Sequence, residues 1–449
     1  MTTVQETRQN LTLEEISSLA DDFTSDPRNR LMQNAVTQHD VDEVALDRRI
    51  VTGATHTFST VLDDWSPTHQ GASGRCWLFS GLNLFRVDTM KTLGVRQFEF
   101  SQSYMMFWDK VERANFVLES VIETADRPIE DRIVQHLMVA PVEDAGQWDM
   151  FVNIVDKYGV VPKDAMPETE SSGNTRQMNS MLYYQVRQGA ATIRRLYQEE
   201  AGLDAMRQEK LDTLKSVYRI LCIHLGDPPA SVDWQWRDRE GEFHRDGELT
   251  PMEFAERYVA PGFRDMVCLV NDPRPDHPYF QTYTIGYLGN VVGARSVRYL
   301  NVPIEVMKDI TQKQIEDGRP VWMGCDTGKQ NHRKLGLWDA ELFDYAGVYG
   351  SEFGMDKAAR LQYGQTQMTH AMLFTGVDVV NGSPRRWRVE NSYGDTVGDK
   401  GFFLMNDSWF DEYMFEIAAP RSYLSEDILA ALDTEPIVLP PWDPMGALA

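Results

Sequence analysis

Gln70-Gly-Ala-Ser-Gly-Arg-Cys76-Trp-Leu-Phe-Ser-Gly-Leu-Asn-Leu-Phe-Arg-Val87 passes from small residues to a largely apolar run. Gly71, Ser73 and Gly74 give way to Cys76, Trp77, Phe79, Leu82, Leu84 and Phe85, which predicts a tight loop opening into a helix. Cys76 falls in or near the first turn of that helix. A thiol there feels unpaired backbone N–H groups and the positive end of the macrodipole, and both favour the thiolate. Arg75 adds positive charge if its side chain turns towards the sulfur. Placement on a helix leaves a second reading equally open, that of a buried structural cysteine.

A cysteine nucleophile needs a base, and the base needs a group that fixes its ring. Of nine histidines, His370 stands out, because it starts the apolar run His370-Ala-Met-Leu-Phe-Thr-Gly-Val-Asp-Val-Val after a polar stretch. That predicts a histidine at the end of a sheet. Asn391 follows 21 residues later, at the end of the next strand and before a Ser-Tyr-Gly turn, so two adjacent antiparallel strands bring the pair together. Gln70, six residues before Cys76, can aim an amide N–H where backbone donors of the helix start also point, the role of an oxyanion donor. Taken alone, His370 is equally a strand-end histidine with ordinary hydrogen bonds. Periodicity does not select this constellation uniquely.

The rest of the chain bounds the answer. It has 449 residues with 42% apolar, 11% aromatic and 25% charged, the profile of a globular protein with a substantial core. Charge of 44 − 68 = −24 disfavours a nucleic-acid binder. The first residues carry no apolar run of signal-peptide length and no stretch reaches membrane-span length, so no membrane association is expected. Cys76, Cys222, Cys268 and Cys325 are spaced like neither a zinc site nor a disulfide scaffold, which predicts a reduced, cytoplasmic protein. Cys222, Cys268 and Cys325 are expected to be structural. Thr12 with Glu15, and Thr250-Pro251 with Glu253, are helix-start signals. Helices are expected over 101–125, 149–157, 183–214 with a break at Gly202, and 302–317. A hairpin is expected over 232–244, and strands over 321–325, 370–380, 386–391 and 401–405. Helices early and an antiparallel-looking sheet late make the fold class α+β.

These motifs together resemble the papain-like cysteine peptidases, in the form of the bleomycin hydrolase / aminopeptidase C branch. Gln70 and Gly74-Arg75-Cys76-Trp77-Leu78-Phe79 look like the nucleophile segment, Thr369-His370-Ala371-Met372 like the histidine segment, and Val389-Glu390-Asn391-Ser392-Tyr393-Gly394 like the asparagine segment. Asp144-Ala145-Gly146-Gln147-Trp148, Gly324-Cys325-Asp326 and Asp233-Trp-Gln-Trp236 agree as well. The spacing of 370 − 76 = 294 residues between Cys and His is that of the branch. One departure is visible: Ala145 stands where the family form has a second glycine, and its methyl demands φ < 0 or reshapes the cleft wall.

The resemblance implies a papain-like fold with large insertions and a C-terminal arm. It divides the chain into an extension (1–46), a helical part with the nucleophile (47–200), an inserted helix and hairpin region (201–300), a β-rich part (301–435) and the arm (436–449). It implies Cys76 as nucleophile, His370 as base and later acid, Asn391 as orienter and Gln70 as oxyanion donor. The tail Leu439-Pro-Pro-Trp-Asp-Pro-Met-Gly-Ala-Leu-Ala449 has three prolines in five residues and cannot form a regular helix; by resemblance it lies in the cleft, where the Ala449 carboxylate pairs with a substrate α-ammonium. The function implied is a cytoplasmic cysteine aminopeptidase acting on peptides with a free N-terminus, assembled as a homohexamer, with no cofactor and no metal. Acyl transfer through the same thioester and a catalytically silent scaffold are the rival readings. Metal hydrolysis is disfavoured because there is no His-Glu-x-x-His pair.

Overall fold

The computed structural model describes residues 8–62 and 65–448. Ala449, the expected anchor for a substrate amine, lies outside the described residues. Among those residues no helix is long and apolar enough to cross a membrane. The chain divides into two compact units, one running up to Ala54 together with Ala340–Met355, the other comprising Thr55–Asp339 and Asp356–Ala449.

The smaller unit holds helices α1 (Leu13–Ser25), α2 (Pro27–Val36), α3 (Val41–Ala45) and α4 (Arg48–Gly53). Thr12 and Glu15 close the expected reciprocal cap, with Glu15 N donating to Thr12 Oγ1 at 3.2 Å and Thr12 N to Glu15 Oε2 at 2.7 Å. The Ala340–Met355 piece is tied in by the amide of Asp344, which donates to the Ala45 carbonyl at 2.8 Å. On α1 no residue is buried, and Leu13, Ile16, Leu19 and Phe23 are exposed.

In the larger unit, helices α5 (Cys76–Leu93), α6 (Gln102–Glu123), α7 (Arg132–Val139), α8 (Trp148–Tyr158), α9 (Glu170–Gly173), α10 (Arg176–Gln198) and α11 (Leu203–Leu225) precede most of the sheet. The expected long helix over 183–214 is two, α10 and α11, joined through Gly202. The strands are β1 (Thr60–Val61), the hairpin β2 (Val232–Arg237) and β3 (Phe243–Leu249), β4 (Met266–Val270), β5 (Thr282–Ile285), β6 (Tyr299–Asn301), β7 (Val321–Cys325), β8 (Asn331–His332), β9 (Leu337–Trp338), β10 (His370–Val380), β11 (Ser383–Glu390), β12 (Phe402–Asn406), β13 (Met414–Pro420) and β14 (Ile437–Leu439). All but the hairpin form a 12-stranded sheet in the order β14-β5-β6-β4-β13-β7-β10-β11-β12-β9-β8, with β1 on β10. The sheet is not purely antiparallel: β4 with β6, β5 with β14 and β9 with β12 run parallel.

Strand β10 explains why its sequence reads as one apolar run. Ala371 and Leu373 face a core shared with Cys76, Trp77 and the helices, while Met372 and Phe374 face a second core with Trp387, Val389 and Phe410. A strand covered on both faces needs no polar alternation.

Candidate active site

Cys76 is the first residue of α5, and Arg75, the residue before it, makes no side-chain cap. The loop that delivers the thiol is held from outside the helix. Arg75 is fully buried and points away from the sulfur. Its guanidinium pairs with Glu168 at 2.7 Å, donates to Ser73 Oγ at 2.9 Å, and lies over the Phe79 ring. Asp144 grips the same loop from the other side. It accepts from Gly74 N at 3.1 Å and from Lys110 Nζ at 2.6 Å, and Thr175 and Asn179 donate to it as well. These donors hold its carboxyl well below the usual carboxylate range despite burial.

Two glycines allow the close approaches this requires. A Cβ on Gly71 would sit 2.4 Å from the Gly173 carbonyl, and one on Gly146 would sit 2.5 Å from the Trp77 ring. Ala145 needs no such exemption, since its φ is not positive. The Asp144 carbonyl accepts from Trp77 Nε1 at 2.6 Å, so segment 144–147 lies directly beside the Cys76 loop.

On the opposite wall His370 is the first residue of β10, paired with Cys325 on β7. Its Nε2 lies 2.9 Å from Asn391 Oδ1, just past the end of β11. Tyr393 stacks on the imidazole with ring centroids 5.2 Å apart, and Arg333 covers the outer face of Tyr393. Helix α5 is fastened to this wall by Ser80 Oγ, which donates to the Ala371 carbonyl at 3.0 Å. The amides of Ala371, Trp77 and Cys76 itself face the Cys76 sulfur and favour the thiolate. The neighbour of His370 in sequence thus touches the thiol.

Gln70 is oriented from both ends. Its Oε1 accepts from Ser392 Oγ, and one hydrogen of Nε2 goes to the Ser73 carbonyl. Among the described residues no acceptor takes the second Nε2 hydrogen, which leaves a donor of the kind a developing oxyanion needs.

Burial acts against charge on both central groups. It pushes the Cys76 thiol up to about 11 and the His370 imidazole down to about 4, with Arg333 adding to the latter and the Asn391 bond opposing it. Each group alone is therefore neutral near pH 7. Were a proton to pass from the thiol to the imidazole, the thiolate and imidazolium would offset one another. The arrangement can activate a thiol for attack on a carbonyl, stabilise an oxyanion and return a proton.

A family model described as the peptidase C1-like family matches residues 10–446. The chain belongs to that family. Similarity places this C1-like chain in the bleomycin hydrolase / aminopeptidase C branch. It is 44% identical to bleomycin hydrolase of Mus musculus over 98% of this chain and 99% of the relative. Identity to aminopeptidase C of Listeria monocytogenes is 38%, again over 98% and 99%. The crystal structure of pepW from Lactobacillus rhamnosis matches with a TM-score of 0.96 and 40% identity, covering 98% of this chain and 99% of that one. The C1-like chain is a cysteine-type aminopeptidase with a papain-like fold.

Of the other thiols of this peptidase, Cys325 lies next to the constellation, opposite His370 in the β7–β10 ladder. Cys325 and Cys268 are fully buried, and burial raises both well above the ordinary thiol value. Cys222 is half-buried on α11. Two groups of the described residues have metal-ligand composition, Asp238/Glu242/His244 in the hairpin and Asp272/His277/Asp443, and neither includes Cys76 or His370.

Sequence reasoning assigned no role to Asp144, to Glu168 or to Glu390. The last is buried and binds Arg86 of α5 at 2.6 Å and Asn83 at 2.9 Å, with Trp65 Nε1 also donating to it. It pins the end of β11 next to Asn391. Its strand already carries Arg385, Arg386 and Arg388, so no charge pattern in the sequence singled Glu390 out.

The tail runs into the same region. After β14 pairs with β5, residues 440–448 continue as an irregular arm with one 3-10 turn, Pro444–Gly446. Gln147 Nε2 donates to the Ala447 carbonyl at 2.6 Å, and Met445 lines one small cavity together with Met368, two residues before His370. The arm is therefore bonded to the Gln147 wall and borders a cavity that Met368 also lines. A cavity of about 370 Å³ opens beside its end, lined by Arg113, Glu143, Gln367, Ala447 and Leu448 among others.

Proposed function

We propose that Cys76, His370, Asn391 and Gln70 carry the aminopeptidase reaction, and that the Ala449 carboxylate selects the free amine of the substrate. The observation that carries this reading is the approach of the Ala371 amide to the Cys76 sulfur, since it sets the thiol beside the residue next to His370. His370 takes the thiol proton. The Cys76 sulfur bonds to the carbonyl carbon of the substrate's first residue, and Gln70 Nε2 and the Cys76 amide receive the oxyanion. His370 gives its proton to the leaving nitrogen as the C–N bond breaks. Water then loses a proton to His370 and attacks the thioester, and the C–S bond breaks to release the N-terminal amino acid and restore the thiol.

The arm supports the exopeptidase part of the reading. Held by Gln147 on one wall, with Met445 lining a cavity shared with Met368, it fills the cleft where further residues on the amino side of the substrate would lie. A free carboxylate at its tip pairs with an α-ammonium one residue from the scissile bond, so the substrate class is peptides with an unblocked N-terminus. The exposed row Leu13, Ile16, Leu19 and Phe23 on α1 supports an assembled state, which we take to be the homohexamer of the branch, working in the cytoplasm without nucleic acid as a partner.

Matched dipeptide substrates with free and N-acetylated amines test this on wild-type and Cys76→Ala protein. Wild type is expected to cleave only the free form, and Cys76→Ala neither. Full turnover by Cys76→Ala would contradict the assignment.

A further inference from the structure

The arm 440–448 carries one charged side chain, Asp443, and that side chain is locked into a buried polar knot. Asp443 Oδ1 receives Arg274 Nη2 at 2.7 Å and Oδ2 receives Nη1 at 3.3 Å, with only 9% of the Arg274 side chain and 10% of Asp443 exposed. Arg274 is fixed independently by Asp272, through Nη2 at 2.6 Å and Nε at 3.0 Å. His277 completes the knot, its Nε2 3.3 Å from Arg274 Nη2 and 3.7 Å from Asp443 Oδ2. Asn301 in turn staples the loop, donating to the carbonyls of Asp272 and His277 at 2.8 Å each. Asp272, His277 and Asp443 look like metal ligands, but the Arg274 guanidinium already bonds both carboxylates and supplies the cation.

Asp443 also shapes the arm beyond it. Its Oδ1 accepts from Met445 N at 2.9 Å, its carbonyl accepts from Gly446 N at 2.9 Å, and Ala447 N donates to the Pro444 carbonyl at 3.1 Å. A shift of Asp443 is thus carried through a closed turn to Ala447, whose carbonyl sits on Gln147.

We infer that the Arg274–Asp443 pair is a positioning device for substrate selection: it fixes how far the arm projects along the cleft, and so where its terminal carboxylate meets the substrate amine. This rests on the reading that the arm selects the free amine. Both partners act through the arm and touch no reacting atom. A preorganised carboxylate tolerates displacements of only about 0.5 Å before an ion pair with substrate weakens.

The test compares kcat and KM for matched free and N-acetylated dipeptide substrates in wild type, Asp443→Asn, Arg274→Lys and a variant lacking residues 445–449. Asp443→Asn keeps the shape of the side chain and leaves Arg274 paired with Asp272. It is expected to raise KM for the free-amine substrate about tenfold or more, leave kcat within about threefold, and reduce the free-over-acetylated ratio of kcat/KM at least about tenfold. The rate of Cys76 alkylation by iodoacetamide should not change. Arg274→Lys retains the charge without the two-pronged geometry and should fall between. If the truncated enzyme loses selection while Asp443→Asn keeps the wild-type ratio, the positioning role is overturned and the arm reading survives. If the truncated enzyme also keeps it, the arm reading itself fails. Should Asp443→Asn not fold, Arg274→Lys decides: a reduced ratio supports the device, and a wild-type ratio overturns it.

Discussion

Asn391 Oδ1 accepts two hydrogen bonds, from His370 Nε2 at 2.9 Å and from the Ser392 amide at 2.8 Å. Because the amide of Ser392 is a donor, the atom facing it is the oxygen of Asn391, and His370 Nε2 must carry a proton. That leaves Nδ1 as the basic nitrogen. Burial moves this imidazole down from 6.5 to about 4, so the neutral form persists below the ordinary histidine range. The lower limb of the kcat/KM profile is therefore expected below pH 6.5. The upper limb should follow the substrate's own α-amine, near roughly 8, because the thiol is pushed the other way. A pH titration of kcat/KM checks both, and a lower limb above 6.5 would contradict the assignment. Cys76, His370, Asn391 and Gln70 are picked out of the sequence only through the resemblance, because helix placement and periodicity leave a structural reading of Cys76 and His370 open. The Ala371 amide is not legible, since a backbone N–H has no residue identity to read. Arg75 shows the same limit: its charge suggests help for the thiolate, and only the position of Glu168 sends it elsewhere.

At the scale of elements, the site depends on how α5 is clamped between segment 144–147 and the end of β11. Asp144 is the hub of the first clamp, and its partner Lys110 is fully buried. Asp144→Ala leaves that ammonium uncompensated and should destabilise the protein by about 3–5 kcal/mol, read from urea unfolding. A loss below about 1 kcal/mol would show that the clamp is replaceable. Strand β13 holds a different kind of group. Glu416 is fully buried beside Cys268, one carboxylate oxygen has no hydrogen-bond partner among the described residues, and burial raises its pKa from 4.5 to about 8. Between those values the folded chain keeps a proton that the unfolded chain releases. Glu416 therefore costs stability progressively as pH rises from 4.5 to 8, at about 1.4 kcal/mol per pH unit. Unfolding free energies across this window should slope less in Glu416→Gln than in wild type, and equal slopes would refute the assignment. Helices with strong caps, such as the one that Thr250 and Glu253 open at Pro251–Tyr258, are legible from sequence. Strands β5, β6 and β14 are not, because three or four residues carry no period and their pairing is decided by distant partners. The parallel pairings went unread for the same reason.

At the scale of the whole molecule, the larger unit is closed by a sheet whose strands come from Thr60 to Leu439, so the order of motifs along the chain says little about neighbours in space. The meeting of segments 294 residues apart, by the difference of 370 and 76, was readable only through resemblance, since no local pattern encodes it. The extension expected over 1–46 falls in the smaller unit, whose discontinuous piece Ala340–Met355 has no counterpart in that reading. The claim on which the rest depends is that Cys76 and His370 share one proton. The pH dependence of Cys76 alkylation by iodoacetamide, followed by mass spectrometry with half-buried Cys222 as internal control, tests it most directly in wild type and His370→Ala. Wild type should alkylate at Cys76 near pH 7, while His370→Ala should require pH above 9, the ordinary thiol value, as an isolated buried thiol does. Superimposable Cys76 profiles for the two proteins would contradict the account.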